Sequence, residues 1–239
     1  MTLHIVEIRP HPVALFRFLE SQGLNHRGDE DLGYGIHAWL KAAFGELAPK
    51  PWRLFWDRNR PPRILAYSPI GAEELHRRLG DFADPGASAV CPKSEDLVSR
   101  PMPIFNAGRC LGLELQCLPV FRKSRSGVEQ DIFLQSRESS SDRRRRDEVY
   151  CQWVQQRLTE TGAVDVVDLS LYAFRLVNQL RKTRDAEGIR QSSRLVRPQV
   201  QVLGELVVRD ATAFERLLAR GIGRHTAFGY GMLLLRPPS

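Results

Sequence analysis

The sequence predicts an α+β protein with antiparallel sheets, organised as two similar halves in tandem. Three observations predict it. Short alternating apolar runs and amphipathic runs follow one another in the order β-α-β-β-α-β through the first half. A polar centre rich in Arg and Ser then interrupts the pattern. A less regular copy of the same order follows it. That order is the ferredoxin-like one, so two tandem ferredoxin-like folds are expected, over residues 1–121 and 147–239, joined by a basic linker or arm at 122–146. The 239 residues suffice for two small cores.

Leu3 to Ile8 is a short β-type run closed by Pro10 and Pro12, and Ala14 to Leu19 reads as a helical turn. Asn25 to Asp31 is a polar loop, and Asp29 or Asp31 can cap the helix after it. In that helix, Leu32 to Leu47, Ile36, Trp39, Leu40 and Ala43 gather on one side at 100° per residue. Tyr34, His37 and Lys41 share the opposite face, spaced i, i+3 and i+7. Gly33 and Gly35 weaken the first turn by about 1 kcal/mol each relative to Ala, which implies close packing there. Trp52 to Trp56 and Arg63 to Tyr67 form a hairpin around the turn DRNRPP. Ala72 to Phe82 is a second helix, Asp84 to Pro103 a connection, and Leu111 to Phe121 the strand that closes the first half.

The centre contains RKSRSG and SRESSSDRRRR. Such a charge run is either a solvated face or an anion site. Arg143 to Arg146 lead into a helix over Asp147 to Thr159, where four arginines oppose the helix dipole unless an anion sits there. Val164 to Tyr172 is a strand candidate. Arg175 to Arg197, which includes Arg181, Lys182, Arg184, Arg190 and Arg194, is a basic loop or hairpin tip. Gln199 to Arg209 is a strand and Asp210 to Ala219 an amphipathic helix.

The segment RGIGRHTAFGYGMLLL then runs from Arg220 to Leu235. Gly221, Gly223, Gly229 and Gly231 bracket a basic tip at Arg224 and His225. A dinucleotide site needs strand, loop, helix; this chain has helix, loop, strand, with Thr226 where a third glycine belongs. Two readings remain: a loop whose N–H groups and Arg224 hold phosphate oxygens, or a glycine C-cap with a tight turn.

Basic residues exceed acidic ones, 35 to 28, for a net charge of +7, which favours a polyanionic partner. The four cysteines show no CxxC pair and read as reduced thiols. Neither a secretory signal nor a membrane-length apolar run is seen, so a cytoplasmic protein without a membrane partner is expected. No metal-ligand pattern and no GxSxG elbow appear, so neither a metal nor another cofactor is expected. What remains is acid–base chemistry by His and Tyr on a bound polyanion. RNA permits it, because its 2′-OH is an internal nucleophile; DNA does not. Tyr34, His37 and Lys41 supply an acid, a base and a cation on one helical face.

Three segments together resemble the CRISPR repeat-RNA endoribonucleases, most closely the CasE branch. GIGRHTAFGYGMLLLRP resembles their glycine-rich signature. GYGIHAWLKAAFGELAPKPWRLF resembles the helix that carries their catalytic histidine, with the hairpin after it. RRRRDEVYCQWVQQRL resembles the basic entry to their middle helix. The resemblance implies two RRM-related folds that bind a CRISPR repeat hairpin and cut the precursor at the 3′ base of that hairpin. The products it implies are a 2′,3′-cyclic phosphate, or its opened form, and a 5′-OH, with the crRNA hairpin retained for the subunits of an effector complex of type I-E or type IV. It makes His37 the general acid or base, Tyr34 its accessory, and the four loop glycines and Arg143 to Arg146 RNA contacts. Two alternatives stay open: a repeat-RNA-binding subunit without cleavage, and an unrelated RNA-binding protein of the same fold.

Overall fold

A computed structural model of the chain describes residues 2–24, 32–57, 59–122, 128–139, 144–184 and 190–238, with the side chains of 139 and 180–194 left out. The first unit contains β1 (His4–Ile8), α1 (Pro12–Ser21), α2 (Gly33–Phe44), β2 (Trp52–Asp57), β3 (Arg60–Ser68), α3 (Ala72–Phe82), α4 (Pro85–Ser88) and β4 (Leu97–Pro101). Its strands lie in the order β2-β3-β1-β4, all antiparallel. Val6, Ile8, Trp52, Ile64 and Ala66 form its inner sheet face, and α1, α2 and α3 bury Leu15, Leu19, Ile36, Trp39, Leu40 and Leu75 against them.

The second unit contains β5 (Cys110–Cys117), β6 (Val120–Arg122), β7 (Glu129–Asp131), α5 (Ile132–Ser139), α6 (Arg146–Thr159), β8 (Val164–Arg184), β9 (Arg190–Val208), α7 (Ala211–Arg220) and β10 (Leu233–Arg236). Its main sheet runs β10-β5-β9-β8. In order of appearance, both main sheets have the fourth strand beside the first, then the third, then the second. The fold is two tandem ferredoxin-like units with antiparallel sheets. Leu111, Leu113, Leu115, Val200, Val202 and Leu206 face the apolar stripes of α6 and α7. Asp210 caps α7 by accepting from the Ala213 N–H at 2.7 Å.

Three expectations are corrected. The alternating strand at Leu111 to Phe121 opens the second sheet instead of closing the first. Leu97–Pro101 closes the first; only Leu97 is buried in it, so this solvated edge strand has no apolar alternation to read. We therefore place the boundary between Pro101 and Cys110. The expected linker at 122–146 contributes two elements of the second unit, β7 and α5: β7 pairs with β6, and α5 follows directly. Of the two readings of Arg175 to Arg197, loop or hairpin tip, the loop falls: the stretch is the outer half of the β8–β9 hairpin, paired from Arg175↔Gln199 to Arg184↔Arg190.

The units share buried contacts. Leu3 and Tyr67 of the first belong to the core of the second. The Tyr67 hydroxyl donates to the Leu233 carbonyl at 2.8 Å, and Arg53 of β2 pairs with Glu114 of β5 at 2.6 Å. The cysteines are free, as read from their spacing.

Candidate active site

Helix α2 faces two ways. Ile36, Trp39, Leu40 and Ala43 are buried, while Tyr34, His37 and Lys41 are partly exposed on the other side. Gly35 is explained by packing: a Cβ there would lie 2.7 Å from Leu19 Cδ2 on α1. The expected caps Asp29 and Asp31 lie outside the described residues.

The glycine loop of the second unit meets this face. After α7, the Ile222 N–H donates to the Gly231 carbonyl and the Gly231 N–H to the Gln116 carbonyl, both at 2.8 Å. Thr226–Phe228 then forms a 3-10 turn. Two glycines make this path possible. Gly231 has φ 76°, and a Cβ there would lie 2.4 Å from the Ile222 carbonyl oxygen. Gly229 has φ 90°, and a Cβ there would lie 2.7 Å from the Trp52 ring. Gly221 and Gly223 likewise abut the chain itself, Gly223 against Trp153.

The path brings Phe228 to within 4.6 Å of the His37 ring centroid. Tyr34 stacks on the same phenyl ring at 6.0 Å and meets His37 edge-on at 6.5 Å. The Trp52 indole N–H donates to the Ala227 carbonyl at 3.0 Å. His37, Lys41, Lys50, Trp52 and Ala227 line a cleft of about 130 Å³. Burial, then the charges of Lys41 and Lys50, lower the His37 pKa from 6.5, and the Ala227 carbonyl opposes them in part as a hydrogen-bond acceptor. The imidazole is therefore mainly neutral at pH 7 and can accept a proton. Lys41 also pairs with exposed Glu46 at 2.6 Å.

The structure thus brings Tyr34, His37 and Lys41 together and adds Lys50, Ala227 and Phe228, none of which was singled out from the sequence. Phe228 had a signal, as a large ring inside a glycine loop. Lys50, on the turn after α2, had none, because no periodicity relates it to His37.

The basic tip is engaged within the chain. Glu129 of β7 accepts from Arg224 Nε at 2.8 Å, faces His225 Nε2 at 2.9 Å and lies 3.5 Å from Arg197 Nε. Burial pushes the Glu129 carboxyl up, but His225 and Arg224 outweigh it and hold the pKa below the usual range. His225 has φ 65°, left-handed backbone that costs a non-glycine residue about 1–2 kcal/mol. The contact with Glu129 helps hold it.

The arginine run divides. Arg143 lies outside the described residues. Arg144 donates to Gln152 at 2.7 Å. Arg145 is three-quarters exposed and pairs with Asp147. Arg146 is enclosed: its guanidinium lies 4.2 Å from the Phe133 ring and 4.5 Å from that of Phe174, donates to the Tyr150 hydroxyl at 2.9 Å and sits 3.4 Å from Asp131. The expected dipole conflict is relieved internally. Asp147 and Glu148 occupy the first turn of α6, and Glu148 accepts the Arg145 backbone N–H. Arg181, Lys182, Arg184, Arg190 and Arg194 have backbones in the outer β8–β9 ribbon, and their side chains lie outside the described residues. Among the described residues no cluster of three His, Cys, Asp or Glu could hold a metal, and no helix is long and apolar enough to cross a membrane.

A family model described as CRISPR associated protein matches residues 3–237. A search of curated proteins returned no match. Among solved structures, the CRISPR endoribonuclease Cse3 bound to a 19-nucleotide RNA is similar at a TM-score of 0.64 and 18% identity, over 99% of this chain and 100% of that one. Thermus thermophilus Cse3 bound to an RNA representing a pre-cleavage complex gives 0.59 and 18%, with the same coverage. A chain of a CRISPR RNA-guided surveillance complex gives 0.54 and 19%, over 98% of this chain and 100% of that one. At such identities the likeness establishes a common fold.

Proposed function

The chain belongs to the CRISPR-associated protein family, and on that basis we propose that it is a repeat-RNA endoribonuclease that retains its product hairpin and joins a CRISPR ribonucleoprotein complex. The observation that carries this reading is the half-buried His37 imidazole, held neutral in a cleft with two lysines and walled by a loop from the other unit. The RNA-bound and complex-bound structures of similar fold support the choice of substrate and partner.

In the mechanism we propose, His37 takes the proton from the 2′-OH as that oxygen attacks the adjacent phosphorus. Lys50 and Lys41 balance the charge gathering on the phosphate. The bond from phosphorus to the 5′ oxygen breaks, and Tyr34 is the candidate donor of the proton that oxygen receives. The products are a 2′,3′-cyclic phosphate and a 5′-OH, and the mechanism needs no metal. Arg143, Arg144, Arg145 and the basic ribbon give the hairpin phosphates their contacts, while Arg146 is held within the fold.

The test is incubation with repeat RNA in EDTA and mapping of the product ends. A single cut at the 3′ base of the hairpin with a cyclic phosphate is expected. Loss of cleavage in EDTA, or a 3′-OH product, would overturn the mechanism.

A further inference from the structure

Behind the Phe228 ring lies a second, larger cavity of about 290 Å³, lined by Trp56, Gln116, Arg175, Gln199, Phe228 and Tyr230 among others. Trp52 lines both spaces, and Phe228, which lines this one, meets the His37 ring at 4.6 Å. Its composition differs from that of the catalytic cleft. Four aromatic side chains, Trp52, Trp56, Phe228 and Tyr230, line it. At the polar end, Arg175 Nη2 and the Tyr230 hydroxyl both donate to Gln199 Oε1 at 3.3 Å. That fixes the Gln199 amide, which is 9% exposed, with its oxygen engaged and its NH2 group as the other polar end.

We propose that this cavity takes one unpaired nucleobase of the RNA, that of a nucleotide flanking the scissile phosphate. Its size, near the lower limit for small-molecule sites, is sufficient for one heteroaromatic base. Aromatic walls with a few fixed polar groups are how single-stranded RNA bases are held, by stacking on the rings and hydrogen bonds to the base edge. The guanidinium of Arg175 and the Gln199 amide are donors, so they favour a base presenting carbonyl or ring-nitrogen acceptors. The adjacency sets the position: Trp52 lines both spaces and Phe228 meets the His37 ring, so a strand with its reacting phosphate at His37 has a neighbouring nucleotide at this mouth. The inference rests on the endoribonuclease reading and adds a base-recognition site to it.

The test uses cognate repeat RNA carrying a 2′-deoxy nucleotide at the scissile position, so that it binds without being cut. Each flanking nucleotide is made abasic in turn, and dissociation constants are measured for the wild type, Trp56→Ala and Arg175→Ala. One abasic substitution is expected to weaken wild-type binding about 5- to 150-fold, the range for stacking one base. In both variants that discrimination should fall to near unity. Arg175 is exposed, so its variant keeps the test open if Trp56→Ala fails to fold. A wild type indifferent to both abasic positions, or variants that discriminate as it does, would overturn the base site while leaving the endoribonuclease reading intact. A wild type that neither binds the intact hairpin nor cuts the all-ribose version would overturn both.

Discussion

The indole N–H of Trp52 donates to the backbone carbonyl of Ala227 at 3.0 Å, joining a strand of the first unit to the glycine loop of the second. The same carbonyl faces the His37 ring. One oxygen therefore fixes both where the loop lies and what the imidazole meets. The surroundings of His37, and with them the chemistry proposed for it, depend on the packing between units as much as on the helix that carries it.

Replacing the imidazole tests the assignment most directly. His37→Ala should slow single-turnover cleavage about 10²–10⁴-fold, the usual weight of a general base. Hairpin affinity should stay within a few-fold of wild type. Normal cleavage by this variant would remove His37 from the mechanism.

The loop can be disturbed without touching a reacting group. Gly229→Ala puts a Cβ 2.7 Å from the Trp52 ring at φ 90°, so the turn carrying Phe228 must shift. A displacement of about 1 Å near a reacting centre costs about 100-fold in rate. Cleavage should fall by that order with hairpin affinity nearly unchanged. Wild-type rates would show that loop position does not matter.

The pH dependence has a defined sign. The His37 pKa is lowered in the fold, so cleavage should rise with pH through a midpoint below 6.5 and level off by pH 7. Lys50→Met removes one charge that lowers it and should move the midpoint up. Stability follows the same linkage. Below pH 6.5 the unfolded chain binds more protons at this site than the folded one, so stability declines as pH falls. His37→Gln should flatten that decline in denaturant titrations at pH 5 to 7.

The two central arginines should respond differently. Arg145→Gln should leave stability unchanged and reduce the slope of log affinity against log salt by about 0.7 to 0.9 for the lost phosphate contact. Arg146→Gln should instead destabilise the fold by about 2 kcal/mol, because Asp131, whose side chain is 8% exposed, loses its cation. Denaturation curves and salt titrations on both variants separate the roles.

Tyr67→Phe removes the donor to the Leu233 carbonyl between the units and should cost about 1–3 kcal/mol. Chemical denaturation followed by tryptophan fluorescence would show it, since Trp52 and Trp153 report the two cores. A midpoint equal to wild type would mean that the carbonyl finds another donor.

Much of the fold was legible because the buried strands and helices carry strong periodicity. The stripe of α2 places Tyr34, His37 and Lys41 on one side, and the structure keeps them there. Where a strand lacks an apolar face, as in Leu97–Pro101, its existence is decided by pairing with His4–Ile8, and local sequence is silent. The outer β8–β9 ribbon is half hidden for the same reason: cross-strand pairing holds it, and its basic residues read equally as a loop or a hairpin tip. Net charge pointed to a polyanion but did not separate Arg145, exposed to solvent, from Arg146, enclosed by aromatic rings. Lys50 reaches His37 only through the turn after α2, a relation that exists in three dimensions alone.

The histidine helix lies in the leading unit and the loop that walls it in the trailing one, with the chain crossing between them only once, from Pro101 to Cys110. Neither unit by itself holds all of the proposed reaction centre. If that crossing were severed and the pieces diluted apart, turnover would become second order, set by how often two inert fragments meet.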